Sequence, residues 1–207
     1  MSTVLALDTA SQRFALALAL NTEVVDALVC DEPQSHTRLL VPSIDRILGD
    51  RKRDLTAIVV VQGPGSYAGL RVGLATAAAL TMATGALQTG VTVFEALAAA
   101  GAPSGPWTAI HPLGREQFAA QPFEGSTPVG EPRSSQATAL AGLLRGEGAG
   151  ALGGVEVGPE ARVLGALHAG LAGLQANRTT APGAFYLSEP RITQAKRTPL
   201  VAITGGS

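Results

Sequence analysis

The segment QGPGSYAGLRVGLATAAALTMATG, Gln62 to Gly85, concentrates the residues whose types and spacing suit chemistry. A glycine-rich turn between a strand and a helix offers backbone N–H groups to an anion, and Arg71 stands one turn into that helix. Two standard phosphate signatures are missing. A P-loop needs Lys and Ser/Thr after its last Gly, where Leu70 and Arg71 stand, and the dinucleotide fingerprint fails because the third Gly falls one residue late. The other reading of Gly63, Gly65 and Gly69 is a tight turn that lets the helix pack closely. Ser66 lacks the flanking glycines of a nucleophile elbow and has no His or acid assigned to it by spacing. His111, before Pro112 at a strand end, reads either as a general base or as an ordinary surface histidine. His36 falls in the first turn of a helix, where the dipole disfavours a protonated imidazole, so a packed or hydrogen-bonded role suits it better than catalysis.

The elements that must position these groups follow from periodicity. Thr3 to Thr9, Phe14 to Leu20 and Val24 to Cys30 read as three strands joined by short polar breaks, hence antiparallel hairpins. Ser35 reads as the N-cap of a helix ending at Gly49, with Pro42 expected to bend it or confine its regularity to the C-terminal half. Ala57 to Val61 is a buried strand. Ser66 then caps a helix that Gly85 closes, and on it Gly69, Gly73, Ala77 and Thr81 recur every four residues as a stripe of small side chains. A strand over Thr89 to Val93 and a helix over Phe94 to Ala100 complete the first half. GAPSGP, Gly101 to Pro106, is the domain boundary. Beyond it the pattern predicts strands at Trp107–His111, Gln117–Phe123 and Pro128–Glu131, helices at Ser135–Arg145 and Ala161–Ala176, and a surface tail. A hairpin meander followed by alternating helix and strand predicts an α/β fold of mixed sheets flanked by helices.

Composition narrows the function classes. Of 207 residues, 46% are apolar, but 36 are Ala and 25 Gly, and only 4% are aromatic, so the core must close by near approach of backbones. Charged residues make up 15%, low for a chain wrapped wholly by solvent, which hints at a partner. Lys+Arg 15 against Asp+Glu 16 leaves no basic stripe for holding a phosphate backbone unaided. One cysteine, Cys30, makes no internal disulfide, and with three scattered histidines it builds no Cys-rich zinc site. The N-terminus MSTVLALDTAS enters a strand directly, without a basic lead or cleavage site, and the expected location is cytoplasmic.

Two resemblances sharpen this reading. Asp8 and Thr9 in LALDTAS resemble the phosphate-binding hairpin of the actin and sugar-kinase superfamily, although Thr9 stands where that turn usually has Gly. Asp8, Thr9, Gly63, Gly65, Ser66 and Arg71 thus form a candidate vestigial phosphate turn. LALDTAS, SHTRLLVPSIDRIL and above all QGPGSYAGLRVGLATAAAL together resemble the bacterial TsaB family, formerly YeaZ, strongly over Val4 to Ala100 and weakly beyond. The resemblance implies an actin-like (ASKHA) fold of two related subdomains, 1–100 carrying the dimerisation helices and 107–207 trimmed and divergent. Where many members carry an Asp-Ala-Arg-like motif, this chain has His111, Pro112 and Leu113, and Glu116 and Phe118 are what remains of that region.

It further implies a non-catalytic scaffold that binds and stabilises a TsaD-type catalytic subunit. With a TsaE-type ATPase, that pair forms threonylcarbamoyladenosine beside the anticodon of tRNAs reading codons that start with A. No cofactor is then expected on this chain alone, since ATP and a metal ion belong to the partners, and tRNA is met only through the complex. In isolation the chain is expected to be a homodimer. The first two helices would supply the partner interface, through His36, Leu39, Leu40, Gly69, Leu70, Gly73, Leu74 and Ala77. The alternative is an independent enzyme, a glycoprotease-type peptidase or a nucleotide-hydrolysing sugar-kinase relative.

Overall fold

In the computed structural model, residues 2–187 are described. Two sheets form around a shared middle layer of helices. The first has the order β3-β2-β1-β4-β5, built from β1 (Thr3–Asp8), β2 (Phe14–Leu20), β3 (Glu23–Cys30), β4 (Leu55–Val61) and β5 (Leu87–Val91). The opening meander is antiparallel, while β4 joins β1 and β5 joins β4 in parallel. A central strand is buried on both faces, which is why β1 and β4 read as continuous apolar runs.

Each strand serves two layers by simple alternation. Leu5, Leu7, Leu16, Leu18, Ile58 and Val60 face α1 (His36–Leu48) and α2 (Tyr67–Thr84). Val4, Ala6, Ala15, Ala17, Ala19 and Val59 face the middle layer, α3 (Val93–Ala99) and α4 (Pro159–Gln175). The small face lets α4 settle closely. A Cβ on Gly170 would collide with the methyls of Val59, and one on Gly165 with the Ala96 carbonyl of α3. Much of the Ala and Gly excess is therefore consumed inside the chain, and α4, from the second half of the sequence, packs on the first sheet.

The second sheet has the order β11-β10-β6-β7-β8, with β9 also on β7. Its centre is the hairpin of β6 (Pro106–Gly114) and β7 (Gln117–Glu124), flanked by β8 (Thr127–Pro128), β9 (Arg133–Gln136), β10 (Leu144–Gly146) and β11 (Val155–Glu156). Trp107, Ala109, Ala119 and Phe123 close onto the α3/α4 layer. The outer face is covered among the described residues by a thin cluster around Ile110, Ala120, Leu144 and Ala149 rather than by helices.

Several expectations are corrected. The helix predicted over Ser135–Arg145 is β9, a 3-10 turn at Ala137–Ala139, and β10. Gly142, at φ 81°, breaks the chain where apolar spacing suggested a helical face, and Leu144 is buried as a strand residue. The strand expected at Pro128–Glu131 shrinks to Thr127–Pro128. The helix α1 runs unbroken through Pro42, which lies on its exposed side. Ser35 does precede α1, but its hydroxyl donates to Glu32 O at 2.7 Å instead of capping. Thr92, placed in a strand by the sequence, is the N-cap of α3: its Oγ1 accepts from Glu95 N at 3.1 Å, and its own N–H donates to Glu95 Oε2 at 2.7 Å. Past α4 the chain docks on the sheet end, where Gly90 N–H donates to Thr180 O at 2.9 Å and Phe185 N–H to Gln62 O at 2.8 Å. The expected surface tail is thus a strap as far as Leu187; the rest of that expectation lies outside the described residues. Among the described residues no helix is long and apolar enough to cross a membrane.

Candidate functional site

At the C-terminal end of β1, Asp8 is fully buried, and its Oδ1 accepts from Ala10 N–H at 3.0 Å. A carboxylate there needs a cation. It finds Arg162, which α4 carries into the interior by starting at Gly158 with Pro159 in its first turn. Arg162 Nε donates to Asp8 Oδ2 at 2.6 Å, Nη1 to Glu147 Oε2 at 2.7 Å and Nη2 to Ser11 Oγ at 2.6 Å. Nη1 also lies 3.4 Å from His111 Nδ1. Ser11 Oγ in turn donates to Glu147 Oε2. His111 Nε2 lies 3.3 Å from the Ala10 carbonyl, which requires that nitrogen to carry the proton and leaves Nδ1 as the acceptor facing Arg162.

The electrostatics agree with this arrangement. Burial, seconded by the Arg162 charge, pushes His111 down to about 4, so its ring is neutral at pH 7. Burial alone would raise Glu147, but the Arg162 charge and the bonds from Ser11 and Arg162 hold its carboxyl below the ordinary value. Burial opposes the charge on Arg162, and the carboxylates of Asp8 and Glu147 more than restore it. Two carboxylates share one guanidinium beneath a groove of about 1080 Å³ between the sheets, whose lining includes Ser11, Arg13, Tyr67, His111, Arg115 and Glu147.

The end of β1 and the turn into α2 bring candidate phosphate-turn residues together without Arg71, and their geometry serves the chain itself. Asp8 is paired with Arg162. A Cβ on Gly65 would meet the Ala10 carbonyl, and Ser66 N–H donates to that same carbonyl at 2.7 Å. Ser66 Oγ caps α2 by accepting from Gly69 N–H at 3.2 Å. Gly63, at φ 117°, makes the turn out of β4. Arg71 points away along α2: its Nη1 donates to Tyr67 Oη at 2.9 Å and its guanidinium lies over the Tyr67 ring.

The stripe expected to face a partner packs within the chain. A Cβ on Gly69 would strike the Thr9 carbonyl, and one on Gly73 the Thr9 hydroxyl. These glycines admit the end of β1. Ala77, Leu70 and Leu40 are buried in the chain's own core, and Leu39 and Leu74 are half-buried against it. His36 is buried against the Phe14 ring, 5.6 Å between centroids. The opposite side of α2 is open: Ala68, Ala75, Ala78, Ala79, Met82 and Ala83 are exposed, Met82 at 89%, and on neighbouring α1 Val41 stands 62% exposed.

Sequence reasoning missed Ser11, Glu147 and Arg162, and took His111 as catalytic or exposed, whereas it is fully buried. A signal for Arg162 existed. It lies beside Val163 and one turn before Ala166 on the buried side of an apolar helix, where an arginine demands an acid.

Comparison with known proteins agrees with this architecture. Residues 32–113 match the family described as TsaD, tRNA N6-adenosine threonylcarbamoyltransferase. The chain is 32% identical over 102 residues to the tRNA threonylcarbamoyladenosine biosynthesis protein TsaB of Bacillus subtilis, a match covering 48% of this chain and 44% of that protein. It is 32% identical over 98 residues to TsaB of Escherichia coli, covering 46% and 42%. The matched stretch thus spans less than half the length of these curated relatives. The solved structure of YeaZ from Pseudomonas aeruginosa superposes with a TM-score of 0.70 at 18% identity, covering 90% of this chain and 100% of that one. The chain thus shares the α/β fold of that structure, with two mixed sheets flanked by helices.

Proposed function

We propose that this chain, which is similar over about half its length to TsaB proteins, acts in forming threonylcarbamoyladenosine in tRNA, as a non-catalytic subunit that binds and stabilises a TsaD-type catalytic partner. The observation that carries the partner-binding role is the exposed apolar strip of Met82, Val41 and the alanines of α2. An exposed apolar strip on one helix beside another suits a helix-packing interface, and small alanines allow short interaxial distances. Burying Met82 and Val41 against a partner would stabilise the pair by about 1.5–3 kcal/mol for each side chain fully covered. The same strip serves a homodimer when the catalytic partner is absent, and exchange of partners on one surface follows. The closed phosphate turn supports the non-catalytic reading, since Asp8 is held by Arg162 and the Ala10 carbonyl accepts from Ser66 N–H and packs against Gly65. ATP and metal chemistry are assigned to the partner subunits, with a TsaE-type ATPase completing the set, and tRNA is reached through the assembly.

The test is complementation in cells lacking their own TsaB-type subunit, with threonylcarbamoyladenosine measured by mass spectrometry of tRNA nucleosides. The wild-type chain should restore the modified nucleoside, and Ala78→Glu combined with Met82→Glu should abolish restoration while leaving the protein folded. Full restoration by that double variant would remove the interface from the account, and failure of the wild type with its cognate TsaD-type subunit would remove the function.

A further inference from the structure

Groups from four separate parts of the chain aim acceptors at one planar cation. Asp8 comes from the end of β1, Ser11 from the β1–β2 turn, His111 from β6 and Glu147 from the loop after β10. Two of these lie at the end of the first sheet and two on the second, so Ser11–Glu147 and His111–Ala10 cross directly between the sheets, and Arg162 of α4 joins Asp8 and Ser11 on one side to His111 and Glu147 on the other.

The acceptors are also positioned without help from the arginine. Asp8 is fixed by the Ala10 N–H at 3.0 Å. The loop carrying Glu147 is tied by Glu156, which accepts from Gly148 N–H at 2.9 Å and Gly150 N–H at 3.0 Å. His111 is fixed by the Ala10 carbonyl. Such a cradle fits a flat fork of N–H donors, which a compact ammonium cannot reproduce because it cannot reach several divergent acceptors at once.

We propose that Asp8, Ser11, His111 and Glu147 form a preorganised guanidinium site which the chain fills with its own Arg162, making that side chain a clasp that holds the second sheet against the first beneath the groove. The clasp fixes how far the groove walls, Gly65–Tyr67 on one side and Gly114–Gln117 on the other, stand apart. Loss of the guanidinium leaves the buried Asp8 carboxylate without its cation and takes one partner from the partly buried Glu147, which destabilises strongly. Because the cradle has its own scaffolding, a free guanidinium cation then takes the vacated place.

The experiment is thermal unfolding of the full chain and its Arg162→Ala variant with millimolar methylguanidinium, using methylammonium as the control of equal charge. The variant should melt on the order of 10 °C below wild type. Methylguanidinium should restore at least half of that loss saturably, methylammonium should not, and Arg162→Ala combined with Asp8→Asn should not respond. Equal responses to the two cations, rescue of the double variant, or a midpoint within about 2 °C of wild type for Arg162→Ala would overturn the proposal. Should Arg162→Ala fail to fold, Arg162→Lys decides by hydrogen exchange. Faster exchange in Gly65–Tyr67 and Gly114–Gln117 with an unchanged β1–β4 core is the expected result, and unchanged exchange in the groove walls is the contrary one.

Discussion

His111 couples the fold to pH through a neutral ring. Its folded value of about 4 lies below the unfolded value of 6.5, so the unfolded chain takes up the proton first as pH falls. Stability from this group is present above pH 6.5 and lost on descending towards 4. Arg162, Glu147 and Asp8 face the ring, and Arg162 opposes its protonation most strongly after burial itself. Between pH 7 and pH 5 the loss should be about 2 kcal/mol in urea unfolding. His111→Gln keeps an N–H donor for the Ala10 carbonyl and should flatten that slope; an unchanged slope would relocate the pH sensitivity. Glu147, held below its ordinary value, adds a loss of the same sign at still lower pH. Asp8 was legible as a charged residue ending an apolar strand, but its partner lies 154 residues away, and no local pattern encodes that distance.

At the scale of elements, the Gly69, Gly73, Ala77 stripe illustrates what periodicity conveys and what it omits. Spacing by four established that one side of α2 is small. It did not say what approaches that side, because Thr9 belongs to a hairpin end far off in sequence. Gly73→Ala should therefore destabilise the isolated chain by about 1–3 kcal/mol through overpacking against Thr9. Thr9→Ala, which removes the colliding hydroxyl, should recover part of the loss in a double-mutant cycle. Additivity of the two changes would mean that the helix and hairpin do not meet as described. At α3 Thr92 and Glu95 form a capping box, but the sequence reads Thr92 as strand because it sits in the β-branched run Val91–Val93. Thr92→Ala should cost about 1 kcal/mol in the same unfolding assay.

For the whole molecule, the first sheet and its helices were almost fully legible, since hairpins and strand–helix alternation declare themselves over short distances. The second sheet was less so. Its strands β8, β10 and β11 have only two or three residues each, too short for any period to show, and glycines at φ 81° and 144° bracket β10. The Ala and Gly excess reads in the sequence as a core closed by near approach of backbones, with part of it on α2 as a face for another helix, and the structure divides it. Gly165, Gly170 and the alanines of β2 bring the α3/α4 layer close to the first sheet, while the alanines of outer α2 stay exposed beside Met82. That outer strip, with Val41, is the surface on which the account of partner binding rests. The most direct test is sedimentation velocity of the purified chain titrated with its cognate TsaD-type subunit, comparing wild type with Ala78→Glu combined with Met82→Glu. The account predicts a one-to-one complex for wild type and free components for the folded double variant. Complex formation of equal strength by both would contradict it.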